Sequence, residues 1–143
     1  FKEVLELKLL ALDVGERRIG LAANDGAGVL VFPAGHLVRT KLSQDIDHVL
    51  QFARDRDAEG LVVGIPYSLD GGVGPGAKRV QGFVRALKRQ TTLPVYSVDE
   101  RFTSVEAEAL LREAGRNPSL DKAAVDAAAA ALILQRFLES QSE

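Results

Sequence analysis

Apolar residues cluster in short runs over the first 40 positions and then alternate with helix-period patterns. Leu9-Leu10-Ala11-Leu12 and Ile19-Gly20-Leu21-Ala22-Ala23 flank a polar connection containing Gly15, Glu16, Arg17 and Arg18. Two such runs split by a glycine-bearing turn predict a β-hairpin, with strands over Leu7–Val14 and Ile19–Asn24. Gly28–Arg39 reads as a third strand after the turn Asp25-Gly26-Ala27-Gly28. Leu42, Ile46, Val49, Leu50 and Ala53 recur at helical spacing, so Lys41–Asp57 is a helix. Gly60–Ile65 is continuously apolar, as in a strand buried on both faces. A glycine-rich loop, Pro66–Pro75, leads to a helix over Gly76–Gln90 with Val80, Phe83, Val84 and Leu87 inward. Leu93–Val98 is the last strand and runs into Asp99-Glu100.

Thr103-Ser104-Val105-Glu106 has the spacing of a capping box, so a helix should start at Thr103 and stop at Gly115. Asp121 is placed to cap a final helix reaching about Glu139, and its Ala-rich stretch 123–131 favours helix. The order β-β-β-α-β-α-β-α-α predicts an α/β fold, a mixed five-stranded sheet flanked by helices. The 143 residues suit one domain, spanning 1–143.

Composition narrows the chemistry. With no cysteine, disulfides and thiolate metal sites are excluded. His36 and His48 lie in unrelated segments and form no ligand pattern. No run approaches the ~20 apolar residues of a membrane span and no signal peptide is visible, so no membrane partner is expected, and the lack of cysteine fits a cytoplasmic protein. Without any methionine, Phe1 is not expected to be the natural start. Net charge is −2, against a generic basic nucleic-acid binder. Yet Gly71 to Val98 contains no acid, while Lys78, Arg79, Arg85, Lys88 and Arg89 lie inside it. That block is either a footprint for an anion such as a phosphate backbone or a solvated helix face.

Three acidic positions stand out. Asp13 ends the first strand, where it is either a turn cap or a carboxylate aimed at a metal or phosphate. Asp126 heads an otherwise apolar helical stripe, Ala130, Ile133 and Phe137, so it should face the sheet. Asp99 and Glu100 both stand at the end of the last strand and should point to opposite faces; alternation alone does not choose between them. Sites in open α/β sheets form beyond the carboxyl ends of strands. Converging carboxylates repel by on the order of 4 kcal/mol per pair at ~4 Å and an effective dielectric of 20, and divalent cations reverse that sign. Nothing matches a Walker loop, since "DGGVGPGAK" lacks the G-K-[ST] ending.

The blocks "LALDVGERRIGLA", "VVGIPYSLDGG", "VDERFTSVEA" and "KAAVDAAAAALILQRFL" resemble, in order, the four signature blocks of the bacterial YqgF/RuvX family, and together they span residues 9 to 138. The resemblance implies an RNase H-like fold and a nuclease, either a pre-16S rRNA nuclease or a Holliday-junction resolvase. It implies an acidic triad of Asp13, Glu100 and Asp126 holding one or two Mg²⁺ or Mn²⁺ ions, which prefers Glu100 to Asp99. It also implies substrate-side roles for the loop Tyr67–Gly72, with Asp70 and Gly71, and for Arg101, Thr103 and Ser104. Thr103 and Ser104 read more simply as helix caps, and Arg17, Arg18 and Arg101 equally as phosphate holders or solvated charges. Lys122, one turn before Asp126, reads as an i,i+4 ion-pair partner. Related resolvases carry a further acid one turn along the last helix, where this chain has Ala129.

The expectation is therefore a metal-dependent endonuclease acting on structured or single-stranded RNA in ribosome maturation, as a monomer or weak homodimer. A resolvase of branched DNA is the alternative, and it would require a symmetric dimer. "DVGERRIG" also resembles the first phosphate loop of actin-like and sugar-kinase ATPases, but those need two copies of the domain. A catalytically silent binding module would leave the acids without a purpose.

Overall fold

The computed structural model describes residues 3–26, 30–101 and 103–141. Its strands are β1 (Leu9–Val14), β2 (Arg18–Asn24), β3 (Val31–Val38), β4 (Gly60–Ile65) and β5 (Val95–Asp99). Its helices are α1 (Leu42–Asp55), α2 (Pro75–Gln90), α3 (Thr103–Glu113) and α4 (Lys122–Gln141), in the order the sequence pattern predicts. The sheet runs β3-β2-β1-β4-β5. β1–β2 and β2–β3 pair antiparallel, while β1–β4 and β4–β5 pair parallel.

The central strands alternate between two cores. Leu10, Leu12 and Val14 of β1 join Val63 and Ile65 of β4 against α1 and α2. Leu9, Ala11 and Val62 pack on the opposite face against Ala130, Ile133, Leu134 and Phe137 of α4. Being apolar on both faces is what a strand flanked by helices requires, and β4 is buried along its whole length. The stripe expected on α4 is buried as predicted, with Ala130 and Ile133 fully enclosed and Phe137 stacked beside Tyr96 at 4.9 Å between ring centroids.

Several boundaries differ from the sequence pattern for local reasons. β1 starts at Leu9 rather than Leu7, because the Asn24 side chain accepts from Leu9 N at 2.7 Å and donates to Leu7 O at 3.1 Å. Val4–Glu6 before it forms a 3₁₀ turn. The turn expected at Asp25–Gly28, and the start of the third strand with it, falls partly outside the described residues. α1 ends at Asp55, two residues early, where Asp57 takes a left-handed φ of 54°. β5 begins at Val95, after Pro94, which has no N–H to give the ladder. α3 ends before Gly115, whose φ of 79° closes the helix. Asp121 caps α4 through Ala124 N at 3.2 Å. Among the described residues, no helix is long and apolar enough to cross a membrane.

Candidate active site

Strand alternation decides where the acids point. Asp13 has the parity of Leu9 and Ala11, so its side chain lies on the α4 face of β1. Glu100 has the parity of Tyr96 and Val98 and lies on that same face. Asp99 takes the other face, paired in register with Ile65 of the α1/α2 core. Arg101 binds Asp99 through Nε at 2.8 Å and Nη2 at 2.7 Å, and its backbone N–H adds a third bond. Slight burial acts upward on Asp99, but these bonds from Arg101 hold its carboxyl below the ordinary range.

Two glycines make the convergence of the other three acids feasible. Asp13 faces Gly20 directly across the β1–β2 ladder. A Cβ on Gly20 would lie 2.0 Å from the Asp126 carbonyl oxygen, so only glycine lets α4 bring Asp126 down beside Asp13. On the other flank β1 pairs with β4 up to Leu12↔Val63, and one further step sets Asp13 beside Gly64. A Cβ on Gly64 would lie 3.0 Å from Glu100 Cβ and 2.5 Å from Ile133 Cδ1. The empty side-chain position on β4 is the space through which Asp13, from β1, and Glu100, following β5, meet.

Their electrostatics follow from this crowding. Burial pushes the Glu100 carboxyl up to about 9, reinforced by the charge of Asp13 and by the hydrogen bond between them, while Arg136 pulls it partly back. Burial raises Asp13 to about 6, and the Asp126 charge adds to that, against the hydrogen bond with Glu100. The two carboxyls hydrogen-bond to one another, and burial together with their mutual charge disfavours ionising both at once. Asp126 is drawn the other way, its Oδ2 accepting from Arg18 Nε at 2.6 Å. Arg18, not the expected Lys122, is thus its ion-pair partner. Among the described residues no three acids or imidazoles are already gathered tightly enough to grip one ion. The donor set nonetheless suits a hard cation: carboxylate oxygens only, two of them in contact and a third acid at their edge.

A cleft of about 340 Å³ opens over the Asp13–Glu100 pair and is lined also by Val14, Pro66, Tyr67, Leu69, Arg101 and Val105. Asp70 and Gly71 form the turn above it: Asp70 Oδ1 accepts from Gly72 N at 2.8 Å and Gly71 has a φ of 88°. Arg101 Nη1 donates to Leu69 O at 3.3 Å, tying this turn to the end of β5. Arg18 and Asp126 line a neighbouring cleft of about 500 Å³ together with Arg112 and Lys122. Arg17 is exposed in the β1–β2 turn. Lys78 and Arg79 are exposed on α2, Arg79 pairing with Glu16 at 3.0 Å. The Ser104 side chain lies outside the described residues.

The capping box does not form as expected. Thr103 is already helical and fully buried, and its hydroxyl accepts from Arg136 Nη1 at 2.8 Å. Glu106 pairs with the same guanidinium, which also donates to Arg101 O at 3.1 Å. Sequence reasoning missed Arg136, although a lone cation inside the apolar run of α4 was the available signal. It clamps the Glu100–Thr103 turn to α4. Ala129, where related resolvases carry a further acid, is fully buried.

This sheet, its crossing helix and its acidic edge define an RNase H-like nuclease fold. The chain aligns with T. thermophilus RuvC in complex with Holliday junction substrate at a TM-score of 0.57 and 15% identity, covering 95% of this chain and 96% of that one. It aligns with the fowlpox virus resolvase in complex with Holliday junction DNA at a TM-score of 0.61 and 9% identity, covering 96% and 100%. The family model RuvX, described as Holliday junction resolvase, matches residues 7–140. A Synechococcus protein named "Putative pre-16S rRNA nuclease" is 46% identical over 94% of this chain and 90% of its own length. A Rippkaea orientalis protein of the same name is 44% identical over 94% and 97%. The chain belongs to the RuvX family of nucleases.

Proposed function

We propose that this protein is a divalent-metal-dependent endonuclease that hydrolyses phosphodiester bonds in RNA during pre-16S rRNA maturation. Asp13, Glu100 and Asp126 are its metal-holding acids. The observation that carries the reading is the contact of the Asp13 and Glu100 carboxyls across Gly64, an arrangement that is costly without a cation. One or two Mg²⁺ or Mn²⁺ ions would supply Lewis acidity and lower the pKa of a bound water. The chain's residues supply position. Asp13 and Glu100 would hold the cation together, and its charge would displace the proton that the pair otherwise retains. Arg18 orients Asp126, and Arg101, held by Asp99, stands at the rim where a phosphate enters. Tyr67 and Leu69 wall the cleft, the Asp70–Gly71 turn follows Leu69, Thr103 and Ser104 open the helix beside it, and Arg17, Lys78 and Arg79 offer outlying phosphate contacts.

RNA is favoured by the names of the relatives at 44–46% identity. We further propose that it acts in the cytoplasm, as a monomer or weak homodimer. Cleavage of labelled single-stranded RNA, pre-16S rRNA ends and four-way DNA junctions should be compared in Mn²⁺, Mg²⁺ and EDTA. Cutting of RNA with metal and none in EDTA is expected. Cutting in EDTA would remove the metal from the mechanism, and cutting of junctions alone would make the protein a resolvase.

A further inference from the structure

Two large apolar side chains stand in water at the mouth of the acidic cleft. Leu69, on the β4–α2 loop, is 74% exposed, and Val105, in the first turn of α3, is 65% exposed. Both line the same cleft as Asp13 and Glu100, with Val14, Pro66 and Tyr67 completing an apolar wall beside the carboxyls. Neither belongs to either core of the fold. Their cost in water is not offset by packing, so they call for an occupant.

We infer that this wall receives the face of an unpaired nucleobase next to the cleaved phosphate, making the site selective for single-stranded over fully paired nucleic acid. The inference rests on the nuclease reading above. Continuity fixes the occupant: anything that covers Leu69, Tyr67 and Val105 within this cleft also covers Asp13 and Glu100, so it is the substrate and not a separate protein. Charge fixes which part goes where. Arg101 and the acid pair with its cation deal with the phosphate, leaving the apolar wall for the part of a nucleotide that carries no charge. In a duplex the base faces are stacked on their neighbours and only edges and backbone are presented; an unpaired base can offer its face to Tyr67 and to the aliphatic pair. The volume, about 340 Å³, is on the scale of small-ligand pockets, roughly 300–1,000 Å³. The Arg101 bond to Leu69 O fixes the loop, so Leu69 is presented at a set place beside the acids.

The test measures binding of a short single-stranded RNA and of the same sequence in a perfect duplex, by fluorescence anisotropy with Ca²⁺ in the buffer. The wild type should prefer the single strand. Leu69→Ser and Val105→Ser, both too exposed to endanger folding, should each weaken single-strand binding by about tenfold, the scale of burying one aliphatic side chain, and leave duplex binding unchanged. Their melting-temperature gain with Mn²⁺ should equal the wild type's. Equal wild-type affinity for both forms, unchanged single-strand binding in both variants, or equal losses on both substrates would overturn the inference. Absence of metal-dependent cleavage on any substrate would instead overturn the nuclease reading, because the strand preference is read without cleavage.

Discussion

Gly20 of β2 and Asp126 of α4 meet so closely that a methyl group on the glycine would lie 2.0 Å from the aspartate's carbonyl oxygen. The contact is with backbone, which cannot swing aside, so Gly20→Ala must move the helix that carries Asp126. Overpacking of this kind costs about 1–3 kcal/mol, and a backbone clash belongs at the upper end. The Mn²⁺-induced rise in melting temperature should vanish with it. Gly82→Ala is the control: a Cβ there meets only Arg85 Nη2 at 3.7 Å, so the exposed helix should gain up to ~1 kcal/mol. A Gly20→Ala protein as stable and as metal-responsive as the wild type would show that α4 is not seated by this contact.

Removing one carboxyl from the acid pair separates binding from folding. Asp13→Asn or Glu100→Gln should leave the metal-free protein as stable as the wild type or more so, by roughly 1–3 kcal/mol, the scale of one uncompensated buried polar group. The same variants should lose cleavage and most of the Mn²⁺ stabilisation, which for the wild type at a hundred times Kd is about 2.7 kcal/mol. Asp99→Asn should keep the metal response, because Asp99 sits on the other face with Arg101. Melting with EDTA and with Mn²⁺ checks all three; a full Mn²⁺ shift in Asp13→Asn would return that residue to a turn cap.

The raised carboxyls also set a pH dependence. Asp13 and Glu100 both have folded pKa values above those of the unfolded chain, near 6 and 9 against 3.8 and 4.5. The native state therefore binds more protons than the unfolded one across that window. Stability contributed by these two groups is greatest at its acid end and falls as pH rises through 6 and towards 9. Metal-free melting curves should show the decline, and Glu100→Gln should flatten its alkaline part. Because the Asp13–Glu100 pair resists double ionisation at pH 7, Mn²⁺ uptake should release about one proton from the pair, seen as a buffer-dependent heat in calorimetry. Uptake without proton release would mean that Glu100 is not a ligand.

The architecture was legible because each buried strand and helix carries its own period, and Gly60–Ile65 and the stripe Asp126, Ala130, Ile133, Phe137 needed nothing else. Asp126 was legible for the same reason, whereas Asp13 was placed at the end of its strand but left between a turn cap and a site carboxylate. Glu100 against Asp99 was not, since alternation gives opposite faces but not which face α4 covers; that is fixed only when Tyr96 and Val98 meet Phe137's side of the sheet. The capping box failed because Thr103 and Glu106 have a tertiary partner, Arg136, 30 or more residues away, and sequence spacing reports only local hydrogen bonding. Gly20 and Gly64 were visible as glycines inside apolar strands, a pattern that marks close approach, but what approaches is a property of the assembled sheet.

Arg136 should behave as a positioning residue. It holds the Thr103 hydroxyl, Glu106 and the Arg101 carbonyl, and its charge lowers the pKa of Glu100. Arg136→Met keeps the stem but removes the charge and the bonds, leaving a buried hydroxyl without its partner at about 1–3 kcal/mol. Glu100 should then hold its proton more tightly, so Mn²⁺ binding should weaken at pH 7 and recover as pH is raised. A loss of stability with no shift in the pH profile of Mn²⁺ binding would make Arg136 merely structural.

The basic face of α2 gives a prediction about salt. Lys78, Arg79, Arg85, Lys88 and Arg89 are all exposed, and no acid lies on the helix to neutralise them. Among the described residues, Arg79 alone of the five has an ion pair, with Glu16, at 60% and 77% exposure, where such a pair contributes little. α2 begins where the β4 loop leaves the acidic cleft, so its charges extend the track that a bound strand would follow away from Arg101. Each phosphate neutralised by a single-stranded ligand steepens the logarithmic salt dependence of binding by about 0.7. Reversing Lys78, Arg79 and Arg85 to Glu should therefore weaken binding of every RNA sequence alike and lower that slope by about 2, while the Mn²⁺ melting shift stays at the wild-type value. Binding titrations from low to high KCl measure the slope. An unchanged slope would mean that the strand leaves the cleft in another direction and that α2 carries its charges for solvation alone.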